Sequence, residues 1–252
     1  MNKLYTITLV IIVFVTSCKK GSYPDENYFG KLTIGMNLLP GSETADIFFD
    51  GKLLGSIDPP KQGNTTQTSF RLLAGGKGKL EIYRSGTKDL VADTLISIPK
   101  TGEQALTFLN SKELGIKGWV SKTTLSPDFF SVQIVNKLTI ANYPVKNPEL
   151  YIYTIDRNTL EPTGLIAVYK DFSRGAALTP KLTLPVYDAA GDVIWYIGKL
   201  KDPATGEFII NQGLGLDLFV VQNSDFDKGQ SFIGIVQDDP NGGFINMDHI
   251  IL

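Results

Sequence analysis

The sequence predicts an all-β protein folded as two tandem antiparallel β-sandwiches. Its 25 Gly and 13 Pro, set among many Thr, Val, Ile, Tyr and Phe, favour strands and tight turns over helices. From Lys31 onward, short apolar runs are broken by turn residues every ~8–12 positions, the spacing of a sandwich. Similar runs then recur about 104 to 110 positions later, as if one unit were used twice.

In the first unit, Lys31–Leu38 and Ala45–Phe49 read as strands. Asp50-Gly51 follows, and the pair with Lys52-Leu53-Leu54-Gly55 beyond it signals a hairpin. Asp58-Pro59-Pro60 and Gln62-Gly63-Asn64 break the chain before strands at Thr68–Leu73, Lys79–Arg84, Leu90–Ile98 and Gln104–Leu109. That makes about seven strands. Residues 111–130 are less regular, with one helical turn expected at Ser111–Gly115 and a break at Ser126-Pro127-Asp128. The second unit reads as strands at Ser131–Ile140, Leu150–Ile155, Leu165–Tyr169, Lys181–Tyr187, Val193–Leu200, Glu207–Ile210, Leu216–Gln222, Ser231–Gln237 and Gly243–Ile251. Four matches suggest the repeat. Lys31–Ile34 pairs with Lys137–Ile140, Asp46–Phe49 with Leu150–Tyr153, Lys79–Tyr83 with Lys181–Tyr187, and Leu106–Leu109 with Leu216–Phe219.

The N-terminus dictates a covalent event. Lys3 precedes an uncharged, mostly apolar run, Leu4–Val15, which is shorter than the ~20 residues a membrane-spanning helix needs and suits a secretory leader. Val15-Thr16-Ser17-Cys18 then resembles the lipobox of bacterial lipoproteins. The resemblance implies a diacylglycerol on the Cys18 sulfur, cleavage before Cys18 and acylation of the new amino group, so that the membrane is a partner through a lipid anchor. Residues 1–17 are then signal peptide, 18–30 a polar tether, 31–124 the first sandwich and 125–252 the second. With its repeat, the whole chain resembles the tandem immunoglobulin-like lipoproteins of Bacteroidota, which implies two immunoglobulin-like domains at the cell envelope, anchored in the outer membrane. Lys19-Lys20-Gly21-Ser22 lacks the acidic pair that helps route such lipoproteins to the surface, so the periplasmic and surface faces both stay open.

Charge and reactive groups narrow the function. Removing the leader takes Lys3 from 24 basic residues and none of the 26 acids, and no Lys/Arg cluster beyond Lys19-Lys20 offers a nucleic-acid footprint. Cys18 is the sole cysteine, which excludes disulfides and thiolate metal sites. The sole histidine, His249, stands beside Asp248, and a strand would turn the two to opposite faces. No Gly-x-Ser-x-Gly, His-Glu-x-x-His, Walker or Gly-x-Gly-x-x-Gly motif occurs. No catalytic residue, cofactor or enzymatic activity is expected. Asn223-Ser-Asp225-Phe-Asp227-Lys-Gly229 alternates oxygen ligands but has Gly234 where a calcium loop needs its closing glutamate, so it reads as a polar hairpin and no metal is assigned.

Four aromatics are the candidate ligand-binding residues: Trp119, Tyr151, Tyr153 and Trp195. Tyr151 and Tyr153 share a strand face; Trp195 and Tyr196 take opposite faces; Trp119 sits in the irregular join. Flat rings on a sheet stack on sugars or apolar side chains, although the ordinary place of a sandwich tryptophan such as Trp195 is the core. Resemblance to surface glycan-binding lipoproteins of Bacteroidota implies a carbohydrate ligand. The alternative is a structural or accessory subunit of an outer-membrane or adhesion complex, meeting a protein partner through sheet edges or one aromatic face.

Overall fold

The computed structural model describes residues 28–120, 124–175, 178–226, 228–239 and 243–252; the leader, Cys18 and most of the tether lie outside them. The described residues hold strands and turns with no helix, and none of their segments is a helix long and apolar enough to cross a membrane. Ser111–Gly115 is accordingly a strand end and turn, where one helical turn was expected.

The first sandwich has eight strands: β1 (Phe29–Asn37), β2 (Ala45–Phe49), β3 (Lys52–Ile57), β4 (Thr65–Leu73), β5 (Lys77–Arg84), β6 (Leu90–Ser97), β7 (Glu103–Ser111) and β8 (Ile116–Trp119). The second also has eight: β9 (Phe129–Asn136), β10 (Glu149–Ile155), β11 (Pro162–Tyr169), β12 (Leu182–Pro185), β13 (Trp195–Lys201), β14 (Phe219–Gln222), β15 (Ser231–Asp238) and β16 (Ile245–Ile251). Sheets β4-β1-β7-β8 and β3-β2-β5-β6 form the first sandwich, and β12-β9-β15-β16 and β11-β10-β13-β14 the second. Adding eight to every strand of the first sandwich yields the order of the second, so the repeat is one of topology. The order is more specific than the four-against-three immunoglobulin arrangement. It is four against four, and the pairs β1–β7 and β9–β15 run parallel within otherwise antiparallel sheets. A parallel pair needs a long crossover, which the five intervening strands supply.

Of the four sequence matches, only Asp46–Phe49 with Leu150–Tyr153 joins equivalent strands, β2 and β10. The others slip because the connections differ in length, residues 38–44 against 137–148 at the first turn. Lys137–Ile140 lies inside that longer connection, where Leu138 and Tyr143 fill the second core. Asp238 fixes this loop, its carboxylate accepting from the Thr139 N–H at 2.5 Å and from the Thr139 hydroxyl and Asn142 Nδ2 at 2.7 Å each. Arg174 closes it from the other side, donating to the carbonyls of Leu138, Tyr143 and Val145. At β2–β3, Asp50 and Gly51 take φ of 47° and 73°, both positive as the two-residue hairpin requires.

Each sandwich has its own core. Leu32, Ile34, Ile47, Leu80, Ile82 and Phe108 fill the first; Phe130, Val132, Ile152, Tyr196, Phe219 and Phe232 are among those filling the second. A third cluster joins them. Val135, Ile233 and Ile235 point out of the β12-β9-β15-β16 sheet onto Leu39, Leu109, Leu114 and Ile116 of the first sandwich. Asn37 Nδ2 also donates to the Ile251 carbonyl at 3.1 Å, and Lys137 pairs with Glu113 at 3.1 Å. The central strands β9 and β15 are therefore buried on both faces, and the first sandwich leaves the outer face of β11-β10-β13-β14 uncovered.

Candidate functional site

That outer face follows from the period of two. On β10, Leu150 and Ile152 enter the core, so Tyr151 and Tyr153 project outward. Their rings stack on each other, nearly parallel at 11° with centroids 6.3 Å apart. Register extends the face: on β11, Val168 lies opposite Tyr151 and Leu165 opposite Tyr153; on β13, Lys199 lies opposite Tyr151, Ile197 opposite Tyr153 and Trp195 opposite Ile155. Val220 of β14 completes the row beside Ile197. Leu165, Val168 and Val220 are exposed, which makes an apolar and aromatic band across the sheet.

The segment after β13 folds back onto this band. Phe208, held by a bridge to Lys201, meets Tyr151 edge-on at 5.6 Å and 86°. The Lys199 ammonium sits 4.6 Å above the Phe208 ring and pairs with Asp217 at 2.7 Å. The Lys201 ammonium lies 5.9 Å from the Tyr151 ring, at the outer reach of a cation–π contact. Tyr151 donates its hydroxyl to Glu149 at 2.8 Å, and that bond to an anion raises the phenol pKa, keeping the hydroxyl protonated. Residues 207–210 form no regular strand, contrary to the sequence expectation; Phe208 makes a single bridge to Lys201 and packs on the Tyr151 ring.

Next to Trp195 the face opens into a cleft of 490 Å³. Its walls come from the β10–β11 turn, with Asp156, Arg157 and Asn158, and from the loop carrying Asp188 and Asp192. The backbone N–H groups of Asn158 and Thr159, at 2.7 and 3.1 Å, hold the Asp156 carboxyl below its usual range. Asp188 is likewise tied to the N–H groups of Ala190 and Asp192. Both loops are thus shaped by their own acids. The result is a ring bordered by carboxylates, an amide and a guanidinium, groups that accept from and donate to hydroxyls.

Of the four candidate aromatics, the structure brings Tyr151, Tyr153 and Trp195 onto one face and leaves Trp119 apart. Trp195 is half-buried on the outer face; the core position expected for it belongs to Tyr196, whose hydroxyl donates to the Pro185 carbonyl and whose burial pushes its pKa up to about 12. Trp119 is not in an irregular join. It ends β8, packs edge-on against Phe108 at 6.3 Å and donates its indole N–H to the Asp93 carbonyl at 2.8 Å. Sequence reasoning missed Phe208 and the gathering of the 156–158 and 188–192 loops beside Trp195.

The remaining candidates have local partners. His249 stacks on Phe232 at 4.3 Å, and its Nε2–H donates to the Val221 carbonyl at 3.0 Å. Asp225 faces Lys228 at 3.1 Å and the Tyr187 hydroxyl at 3.3 Å; Asp227 lies outside the described residues. Among the described residues no three His, Cys, Asp or Glu side chains gather as a metal would require.

No protein-family model and no curated relative matches the chain. Solved structures similar to it include a family 26 carbohydrate-binding module of Eubacterium rectale in complex with maltoheptaose, at 13% identity and TM-score 0.27, covering 88% of this chain and 96% of that one. A candidate adhesin from Bacteroides ovatus matches at 11% identity and TM-score 0.24, covering 92% and 97%. Streptococcal family 41 modules that recognise α-glucan match at 14% and 0.27, covering 86% and 96%. Likenesses this loose assign no ligand to this chain.

Proposed function

We propose that the chain is a lipid-anchored envelope protein that binds glycan, without catalysis, on the outer face of the β11-β10-β13-β14 sheet. One observation carries the reading: Tyr151, Tyr153 and Trp195 lie on the sheet face that the first sandwich leaves open, and a polar cleft adjoins Trp195. Sugar rings offer apolar C–H faces to aromatics and hydroxyls to carboxylates and amides, and this face supplies both kinds of partner. The membrane link rests on Val15-Thr16-Ser17-Cys18, with the outer membrane as the proposed location. Labelled-palmitate incorporation in cells tests it: label lost in Cys18→Ala supports the anchor, and label retained refutes it.

A panel of neutral gluco-, manno-, xylo- and galacto-configured oligosaccharides tests the glycan reading. Saturable binding that Tyr153→Ala and Trp195→Ala each weaken supports it; absence of binding across the panel rejects it. A second reading has its own observation. Leu165 and Val168 are exposed on β11, the edge strand of that sheet, at 55% and 37%, and an open apolar edge suits a protein partner in a larger envelope assembly. Cross-linking from Leu165→Cys to one defined partner chain, with no glycan bound, favours that accessory role.

A further inference from the structure

The cluster that joins the sandwiches takes its first-sandwich residues from β7, β8 and the loops after β1 and β7, so the β3-β2-β5-β6 sheet takes no part in it. That sheet is the counterpart of β11-β10-β13-β14, with β2 standing for β10, β3 for β11 and β5 for β13. Alternation treats β2 as it treats β10: Ala45 and Ile47 enter the core, and Asp46 and Phe48 project outward. The likeness extends to the edge strand. Leu53 of β3, 58% exposed, lies opposite Phe48 as the exposed Leu165 of β11 lies opposite Tyr153.

On the other side of β2, Tyr83 of β5 lies opposite Asp46 and meets the Phe48 ring edge-on at 5.6 Å and 89°. Both half-buried rings line a cleft of 400 Å³, completed by Asp46 and by Gly86, Thr87 and Lys88 of the β5–β6 turn. The volume falls in the range of small-molecule sites. The Ser56 hydroxyl, at 2.6 Å, and the Gly86 N–H, at 3.3 Å, hold the Asp46 carboxyl below its usual range, so it is an ionised acceptor at neutral pH. Lys88, exposed, brings an ammonium donor to the same wall. One negative and one positive group leave no net charge to attract an ion, and each can pair with hydroxyls beside the apolar rings.

We infer that the cleft of Asp46, Phe48, Tyr83 and Lys88 is a second glycan site for an uncharged oligosaccharide, so that each sandwich binds sugar on the equivalent sheet face. The ligand class rests on the glycan reading of the second sandwich, and the test separates the two. The same oligosaccharide panel is titrated into the protein while NMR follows the Tyr83 ring on the first sandwich and the Trp195 indole on the second. For at least one glycan both signals are expected to shift saturably. Trp119, on β8 of the other sheet, lies outside the cleft and should stay silent. Phe48→Ala should weaken the Tyr83 response at least about fivefold and leave the Trp195 curve unchanged. The Tyr83 shift in the unaltered protein needs no variant, so the test survives a Phe48→Ala chain that does not fold. A saturating Trp195 signal with a silent Tyr83 overturns this site and leaves the other standing. Silence at both overturns both. A Tyr83 response that Phe48→Ala leaves untouched, or that it weakens only together with the Trp195 response, also overturns the second site.

Discussion

Replacing Asp238 with alanine should be among the most damaging single changes to the second sandwich. Asp238 is 7% exposed, and its carboxylate accepts three hydrogen bonds from Thr139 and Asn142, the residues that start the loop carrying Tyr143 into the core. Hydrogen bonds to a charged group contribute ~1.5–3 kcal/mol each, are not additive, and leave the Thr139 N–H unsatisfied when the acceptor goes. A loss of about 3–5 kcal/mol follows, a large share of a typical domain's ~5–15 kcal/mol. Asp238→Asn keeps one acceptor oxygen and should lose roughly half as much. Burial raises the Asp238 pKa, but the bonds from Thr139 and Asn142 outweigh it and hold the group below its ordinary value. A carboxylate with a lowered folded pKa contributes stability that is present above its unfolded pKa of ~3.9 and lost as pH falls through the folded value. The gap between wild type and Asp238→Asn should therefore be full at pH ~6 and shrink toward pH ~3. Urea unfolding across that pH series measures it. An alanine variant within about 0.5 kcal/mol of wild type, or a gap that ignores pH, would refute the reasoning.

Other substitutions probe separate parts of the fold. An alanine at Gly198 would bring its Cβ to 2.2 Å from the buried Phe219 ring, so Gly198→Ala should destabilise by about 1–3 kcal/mol or more in urea unfolding. Ile235→Ala, at the cluster joining the sandwiches, should cost about 2–5 kcal/mol and separate the unfolding of the two units into distinct calorimetric transitions; one unchanged transition would argue against a cooperative interface. Trp119→Phe removes the hydrogen bond to Asp93 and should cost about 1 kcal/mol while leaving oligosaccharide affinity unchanged.

Local features were legible in the sequence because local physics sets them. Asp50-Gly51 marks its hairpin through the need for two positive φ values. Alternation sets Tyr151 and Tyr153 against Leu150 and Ile152. Which aromatic of the Trp195-Tyr196 pair turns inward was not legible, because alternation separates the two faces and only the register against Ile155 assigns them. The parallel β1–β7 and β9–β15 pairs leave no local mark, since the partners lie far apart in the chain. Repeat matching failed for a related reason. Constant-offset comparison assumes equal loops, but the connections differ along the whole chain, so that equivalent strands begin 100 positions apart at Phe29 and Phe129 and 128 apart at Glu103 and Ser231, and three of four matches fall off their true strands. The site followed the same division: two tyrosines came from alternation, whereas Phe208 and the cleft beside Trp195 come from loops folding back.

The protein's 2 tryptophans allow the binding face to be tested where it lies. In Trp119→Phe, Trp195 is the sole indole and reports only on that face. Titrating the oligosaccharide panel into this variant while recording emission should give a saturable change for at least one glycan, shifted to higher concentration when Tyr153→Ala is added. The reciprocal variant, Trp195→Phe, should stay silent at every concentration. A response from Trp119 with none from Trp195, or no response from either, would contradict a glycan site on the β11-β10-β13-β14 face.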